Sequence, residues 1–323
     1  MPQDSTYILD NLADTAGLPD TFRVLLKEVQ QSTVHGASKT SVNAYSTQNN
    51  GNGIPWEPII VFLMFVSVYV LLKYLRYKFL TKKISRIYEE KRFVYHDILN
   101  NHNPYYKSLG TENKDRFIRR VIFFIQAKDF KYIGIEKEEQ IPLLISATAI
   151  QLTFGLNHYL LDYFKTIYIL KDNYRYGLSA VPFEGHVNDD GIYLSWNNFI
   201  REYSDYTDGE NVGLHEMAHA LTYVNFKVQD GKDDSFRKKF YEFSPVARPI
   251  FARMQEGETN LLNKYAATNY EEFWAVCIES FFERPFPFRE QMPDLYFALC
   301  NLLNQDPCTK DKILTSSDTA YTG

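Results

Sequence analysis

The sequence predicts a mixed α+β domain with a small sheet and a ligand-bearing helix, preceded by one membrane-spanning helix. Three observations carry that expectation. The uncharged run "IIVFLMFVSVYVLL" (59–72) is flanked by aromatic and basic residues. Helical apolar patterns are interrupted by two extended stretches, "FKTIYIL" (164–170) and "GHVNDDGIYLSW" (185–196). The segment "GLHEMAHAL" (213–221) sets two histidines four apart, with a glutamate just after the first.

Composition bounds the answer before any motif is read. A chain of 323 residues with 45% hydrophobic content has ample material for a core. A net charge of -5 gives no global electrostatic case for nucleic acid, and no nucleic-acid partner is expected. The three cysteines, Cys277, Cys300 and Cys308, are too few for a disulfide framework and form no Cys-x-x-Cys pair. A reducing compartment fits that usage.

Residues 1–54 are rich in Ser, Thr, Asn, Gln and Gly and read as a polar, largely flexible tail, with a short amphipathic helix around "TFRVLLKEV". Residues 55–76 read as a transmembrane helix. The apolar run alone is short for a bilayer, but Trp56, Tyr74 and Tyr77 suit the interface and Lys73 can extend its head to water. The alternative is a buried core helix with a basic extension.

Eight basic residues between Lys73 and Arg92 follow the run, opposed only by Glu89 and Glu90, whereas the nearest basic residue before it is Lys39. The positive-inside rule then places the N-terminus outside and the remainder in the cytoplasm, as in a single-pass protein of a bacterial inner membrane. Residues 77–127 read as a basic juxtamembrane helical segment, 128–306 as the globular domain and 307–323 as a flexible tail. Within the domain, "EEQIPLLISATAIQLTFGL" (138–156) is a nearly continuous apolar helix, and Asp190-Gly191 marks a hairpin between two strands.

The chemistry concentrates at residues 215–219. Asp208 or Asn211 can start a helix there, and Val212, Leu214, Met217, Ala218 and Leu221 can pack inward. Residues i and i+4 share a helix face, so His215 and His219 can offer imidazole nitrogens to one ion. Glu216 projects beside them, within reach of a metal-bound water rather than the metal, which suits a general base. A random His-Glu-x-x-His occurs by chance, and the bland reading is a pair of satisfied histidines, so a third ligand has to be found.

No histidine follows His219, which leaves a carboxylate. "YAATNYEEFWAVCIESFF" (265–282) supplies candidates, because its helix is apolar on every side and a buried carboxylate needs a cation. Glu272 is the expected ligand, and Glu279, seven residues on, is expected to meet either a ligand-histidine N–H or a basic side chain. Glu271 is assigned to capping the helix start, although either glutamate of this first turn can serve a capping box. The strand "IYLSW" (192–196), with Tyr193, Leu194, Ser195 and Trp196, is read as lining the cleft and pairing with an extended peptide. Tyr193 and Ser195 are expected on one face, Leu194 and Trp196 on the other. A plain core strand is the alternative.

"GIYLSW", "NVGLHEMAHAL" and "YAATNYEEFWAVCIESFFERP", in this order and spacing, resemble segments of the Mlc titration factor A family, zinc metallopeptidases of the gluzincin type. The resemblance spans roughly residues 130–305. It implies a zincin-like fold, one zinc ion held by His215, His219 and Glu272, and Glu216 as base. It implies a metal-facing role for Tyr265, whose phenol could donate to an oxyanion; a half-buried aromatic at a helix entry is the plain alternative. A peptide or protein substrate is implied, as is a second possibility, sequestration of a cytoplasmic regulator such as a transcriptional repressor. One departure stands out: the family usually has an aspartate three residues after the second zinc histidine, where this chain has Thr222.

Overall fold

A computed structural model describes residues 56–177, 182–228 and 233–309, with the backbone alone at Trp56, Glu57 and Tyr77. The expected tail helix near residue 21, the N-terminal tail and most of the C-terminal tail lie outside the described residues. The chain divides into two units, Met1–Leu80 and the part from Thr81 on.

Helix α1 runs from Trp56 to His102 and is long and apolar enough to cross a membrane. Within the first unit its apolar side chains stay uncovered on all sides: Phe62, Phe65 and Leu72 are about two-thirds exposed (64%, 66% and 60%). Contiguous exposed apolar surface of that extent is a mark of protein or membrane contact surfaces. From Thr81 the same helix becomes amphipathic, and Ile84, Tyr88, Tyr95 and Leu99 are buried. The spacing from Ile84 to Tyr88 and from Tyr95 to Leu99 is one helical turn, so a single stripe faces the domain core.

The second unit is a helix-rich α+β structure around a four-stranded mixed sheet. After α2 (Pro104–Ser108) and α3 (Thr111–Ala127) come β1 (Asp129–Ile133), α4 (Gln140–Thr153), β2 (Thr166–Leu170), β3 (Gly185–Asn188) and β4 (Gly191–Ser195). Then follow α5 (Trp196–Glu202), α6 (Val212–Thr222), α7 (Asp234–Gln255), α8 (Tyr270–Glu283), α9 (Pro285–Gln291) and α10 (Pro293–Leu303). Segment 77–127 is thus helical up to Ala127, but α3 also buries Phe117, Ile118, Val121, Ile122 and Phe124 and packs on α4. Helix α4 is buried around almost its whole circumference, which accounts for its unbroken apolar sequence.

Strand order is β1-β2-β4-β3; β1, β2 and β4 are parallel and β3 is antiparallel to β4. The hairpin is present, with Asn188 opposite Gly191 across the Asp189-Asp190 turn. Ile167, Ile169, Ile192 and Leu194 are fully buried on the inner face. On the other face the rings of Tyr168, Tyr193 and His186 stack, with centroids 4.3 Å apart at each step.

Two expectations need correcting here. Strand β4 is hydrogen-bonded on one side to β2 and on the other to β3, so it has no free edge for an incoming peptide. Trp196 is not in the strand at all: it opens α5 and stacks on Phe199. Ser195 ends the strand fully buried, with its Oγ accepting from Asn198 Nδ2. The edge strand on this side of the sheet is β3, the one antiparallel member.

Candidate metal centre

Helix α6 carries the two histidines. Asn211 caps it, its side chain accepting from Leu214 N at 2.9 Å, and the inward residues Val212, Leu214, Met217, Ala218 and Leu221 are all buried. The opposite partner is α8, capped by Asn269, whose carboxamide oxygen accepts from the backbone N–H groups of Glu271 and Glu272. Glu271 is therefore not the cap; its carboxylate lies 3.3 Å from Lys227 Nζ at the exposed rim. An Asx side chain can accept both amides from outside the helix, which frees the glutamates of the first turn for other partners.

Trp274 sets the register between the helices. Its indole N–H donates to Ala218 O at 3.0 Å, and its ring is wedged among Phe236, Phe240 and Phe243. Burying such a side chain is worth about 1.5–3 kcal/mol, and it fixes the turn of α8 that presents Glu272, two residues earlier, to the histidines.

Three donor atoms converge. His215 Nε2 lies 2.9 Å from Glu272 Oε2 and 3.0 Å from His219 Nε2, and the third edge, His219 Nε2 to Glu272 Oε2, is 3.5 Å. Among the described residues they form the one group of three or more potential metal-ligating side chains. Donors held tetrahedrally at ~2.0–2.1 Å from an ion stand about 3.4 Å apart. The observed triangle needs only a few tenths of an ångström of spreading, and two imidazoles with one carboxylate are a donor set that suits zinc. The residues fit the ion.

The surround is equally specific. Glu279 Oε1 is hydrogen-bonded to His215 Nδ1, and its Oε2 accepts from Asn211 N at 3.3 Å. That bond orients the ring and leaves Nε2 to face the triangle. Asn211 also donates from Nδ2 to Glu283 Oε1 at 2.8 Å, tying the start of α6 to α8 a second time. Glu216 is 5% exposed, and its Oε2 is buried with no hydrogen-bond partner, beside the triangle and outside it. A buried orphan acceptor is costly unless something in the site satisfies it.

Gly185 on β3 explains how Glu216 fits: a Cβ there would come within 2.6 Å of Glu216 Cγ. The Gly185→Ala substitution is expected to push Glu216 aside and to cut any hydrolysis at this site at least ~10-fold with metal content unchanged, measured by turnover and metal analysis together. Unaltered turnover would show that the close approach is dispensable.

Charge follows geometry. Burial pushes the Glu216 carboxyl up to about 7, against the pull of the two histidines. Burial also opposes ionisation of Glu272, but hydrogen bonds from His215 and His219 outweigh it and hold that carboxyl well below the usual range. For His215 burial disfavours the imidazolium, yet Glu272 and Glu279 on its two nitrogens raise it well above the ordinary value. An ion taking Nε2 must displace that proton. Metal affinity is therefore expected to fall about tenfold per pH unit as the pH drops below the raised His215 value. Chelator competition at pH 6, 7 and 8 reads this, and a flat profile contradicts it.

Tyr265 sits on a single 3₁₀ turn (Lys264–Ala267), half exposed, with its ring centroid 6.0 Å from that of His215. Burial and the Glu272 carboxylate raise its phenol above the ordinary value. Thr222 turns its hydroxyl back onto the carbonyls of Ala218 and His219, as helix-end threonines commonly do.

Two clefts flank the triangle. The larger, about 730 Å³, and the smaller, about 210 Å³, share Phe183, Gly185, His215, Glu216 and Tyr265. Tyr193, Leu194, Ser195 and Trp196 line neither; β3 does. The structure thus gathers His215, His219, Glu272, Glu216, Glu279 and Tyr265 in one place and leaves the β4 residues out. Sequence reasoning missed Gly185 and Glu283. The hairpin was legible, but which of its strands has a free edge depends on strand order.

Residues 80–303 match the family described as glucose-regulated metallo-peptidase M90. The chain belongs to that family. Relatives include the Mlc titration factor A proteins of Escherichia fergusonii, 25% identical over 240 residues (68% of this chain, 89% of the relative), and of Edwardsiella ictaluri, 25% identical over 230 residues (63% and 85%). An uncharacterized protein of Synechocystis is 23% identical over 223 residues (62% and 80%). The M90 match begins at Leu80, beside the division between the two units, so the apolar part of α1 lies outside it.

Proposed function

We propose that this M90 chain is a membrane-anchored zinc peptidase with a zincin-like catalytic domain, covering residues 128–306, that hydrolyses peptide bonds. The convergence of His215, His219 and Glu272 beside the unpartnered Glu216 carboxylate is the observation that carries the reading. Zinc bound there would acidify a water molecule and polarise the scissile carbonyl. The protein supplies the rest. Glu216 takes the proton of the attacking water and returns it to the leaving nitrogen, a role suited to a carboxyl near neutrality. Tyr265 donates its phenolic proton in a hydrogen bond to the developing oxyanion. Glu279 holds the His215 ring through Nδ1. The free edge of β3, beside Glu216, offers main-chain groups to an extended peptide, the task first expected of β4.

Metal analysis of the purified chain, paired with peptide cleavage by the Glu216→Gln variant, tests this. A second reading has support from the relatives named Mlc titration factor A: the chain holds a cytoplasmic regulatory protein and cuts little or nothing. A binder needs no base, so partner capture that survives Glu216→Gln in a chain without turnover favours it.

For the anchor we place residues 55–76 across the bilayer, the N-terminal tail outside and the catalytic domain in the cytoplasm, supported by the exposed apolar surface of α1 and by the basic residues that follow it. A cysteine replacing Ser46 should react with a membrane-impermeant thiol reagent in intact cells, and one replacing Ser316 should not. The reverse pattern inverts the topology.

A further inference from the structure

Glu283 is a buried carboxyl that the proposed chemistry does not use. It is 7% exposed, and its Oε2 is buried without a hydrogen-bond partner among the described residues. Burial pushes the carboxyl up to about 9, against the hydrogen bond it accepts from Asn211, so near neutral pH it carries no charge. A buried polar atom left unpaired is costly, and an apolar side chain in its place would avoid the cost. What the glutamate does must therefore lie at its other oxygen.

Glu283 Oε1 accepts from Asn211 Nδ2 at 2.8 Å, and every other polar group of Asn211 is engaged as well. Its Oδ1 accepts from Leu214 N at 2.9 Å, its carbonyl accepts from His215 N at 2.9 Å, and its own N–H donates to Glu279 Oε2 at 3.3 Å. Through its second oxygen Glu279 meets His215 Nδ1. Glu279 and Glu283 stand four apart on α8 and share one face, so a single helix grips Asn211 by its backbone and by its side chain at once. The bond to Glu279 is the longest of the four, and it has most to lose when Asn211 shifts.

We propose that Glu283 is a positioning residue for the metal: through Asn211 it holds Glu279 against His215 and so keeps the His215 ring turned to the ion. The proposal rests on the zinc reading above and extends it by one side chain beyond Glu279. Glu283 acts here as a hydrogen-bond acceptor and not as an anion, so a neutral acceptor of the same shape replaces it.

Zinc affinity of the full chain in detergent, read by competition with a chelator, separates this role from a merely structural one. E283L removes the acceptor and is expected to weaken zinc at least ~5-fold, less than the 10–100-fold usual for partners that touch a ligand directly. E283Q keeps an oxygen for Asn211 and is expected to hold zinc within ~2-fold of the unsubstituted chain. N211S breaks the same contact from the other side, because serine caps a helix about as well as asparagine but has no amide to reach Glu283. It is expected to lose as much as E283L, and the double variant no more than either alone. If E283L does not fold, N211S against E283Q reads the same contact. The visible absorption of cobalt(II) loaded in place of zinc should shift in E283L and not in E283Q, a change that lost stability alone does not produce. Equal zinc affinity in all variants, a loss in E283Q as large as in E283L, or additive losses in the double variant overturns the proposal. A chain that takes up no zinc removes the metal site and this role together. The expected order of affinities in a chain that cuts no peptide keeps the role and removes the peptidase.

Discussion

The Glu216→Gln chain is expected to bind its metal at full stoichiometry and to lose hydrolysis by on the order of 10³-fold or more. The substitution is nearly isosteric, which matters because the side chain is packed against Gly185, where there is no room for a larger group. Glu216 stands outside the triangle of donor atoms, so the ion has no reason to leave. What disappears is a proton acceptor. An amide cannot take the proton of the attacking water, and general-base catalysis typically contributes 10²–10⁴-fold. In the proposed mechanism Glu216 suits this work, because burial raises its carboxyl to about 7, near the pH at which it would accept and return a proton. Turnover of a quenched peptide, read beside metal content, checks the outcome. Wild-type turnover in the variant would remove Glu216 from the mechanism, and loss of the metal as well would make it a ligand.

The second large effect concerns two adjacent glutamates. Glu272→Gln is expected to weaken metal binding by more than about 100-fold, beyond the 10–100-fold usual for outer partners of a ligand. Glu271→Gln is expected to change it by less than ~5-fold. One carboxylate lies within 2.9 Å and 3.5 Å of the two imidazole nitrogens; the other faces Lys227 at the rim, an exposed pair worth about 0–1 kcal/mol. Competition against a chelator of known strength, with both variants folded to the same thermal midpoint, decides the order. Equal losses, or a larger loss for Glu271→Gln, would reverse the assignment.

This pair also marks where local sequence stops being informative. "TNYEE" contains two residues able to cap and two carboxylates in one turn, and helix-start chemistry treats the two carboxylates almost alike. Which is free depends on the rotation of α8 about its axis. Trp274, locked to Ala218 and ringed by phenylalanines of α7, sets that rotation. The cap is Asn269, whose side-chain oxygen takes the first free amides of the helix and leaves both carboxylates to other partners.

Much was nevertheless determined by sequence alone. Apolar patterning placed α4 and α8 as runs apolar on every side, the mark of a buried helix, and α6 as a capped segment with inward-packing apolar residues. The i, i+4 spacing put His215 and His219 on one face, since backbone geometry alone brings such residues together. The uncharged stretch with its basic flank identified a helix able to cross a membrane, because that test depends on length and composition.

Tertiary structure decided what depends on distant partners. It closed both sides of β4 and left β3 as the edge, since hydrogen-bond pairing between strands far apart in the chain has no local code. It turned Trp196 into a helix start, set Gly185 against Glu216, and brought Glu283 to Asn211. Local periodicity says which face of an element is buried. Only packing says what that face meets.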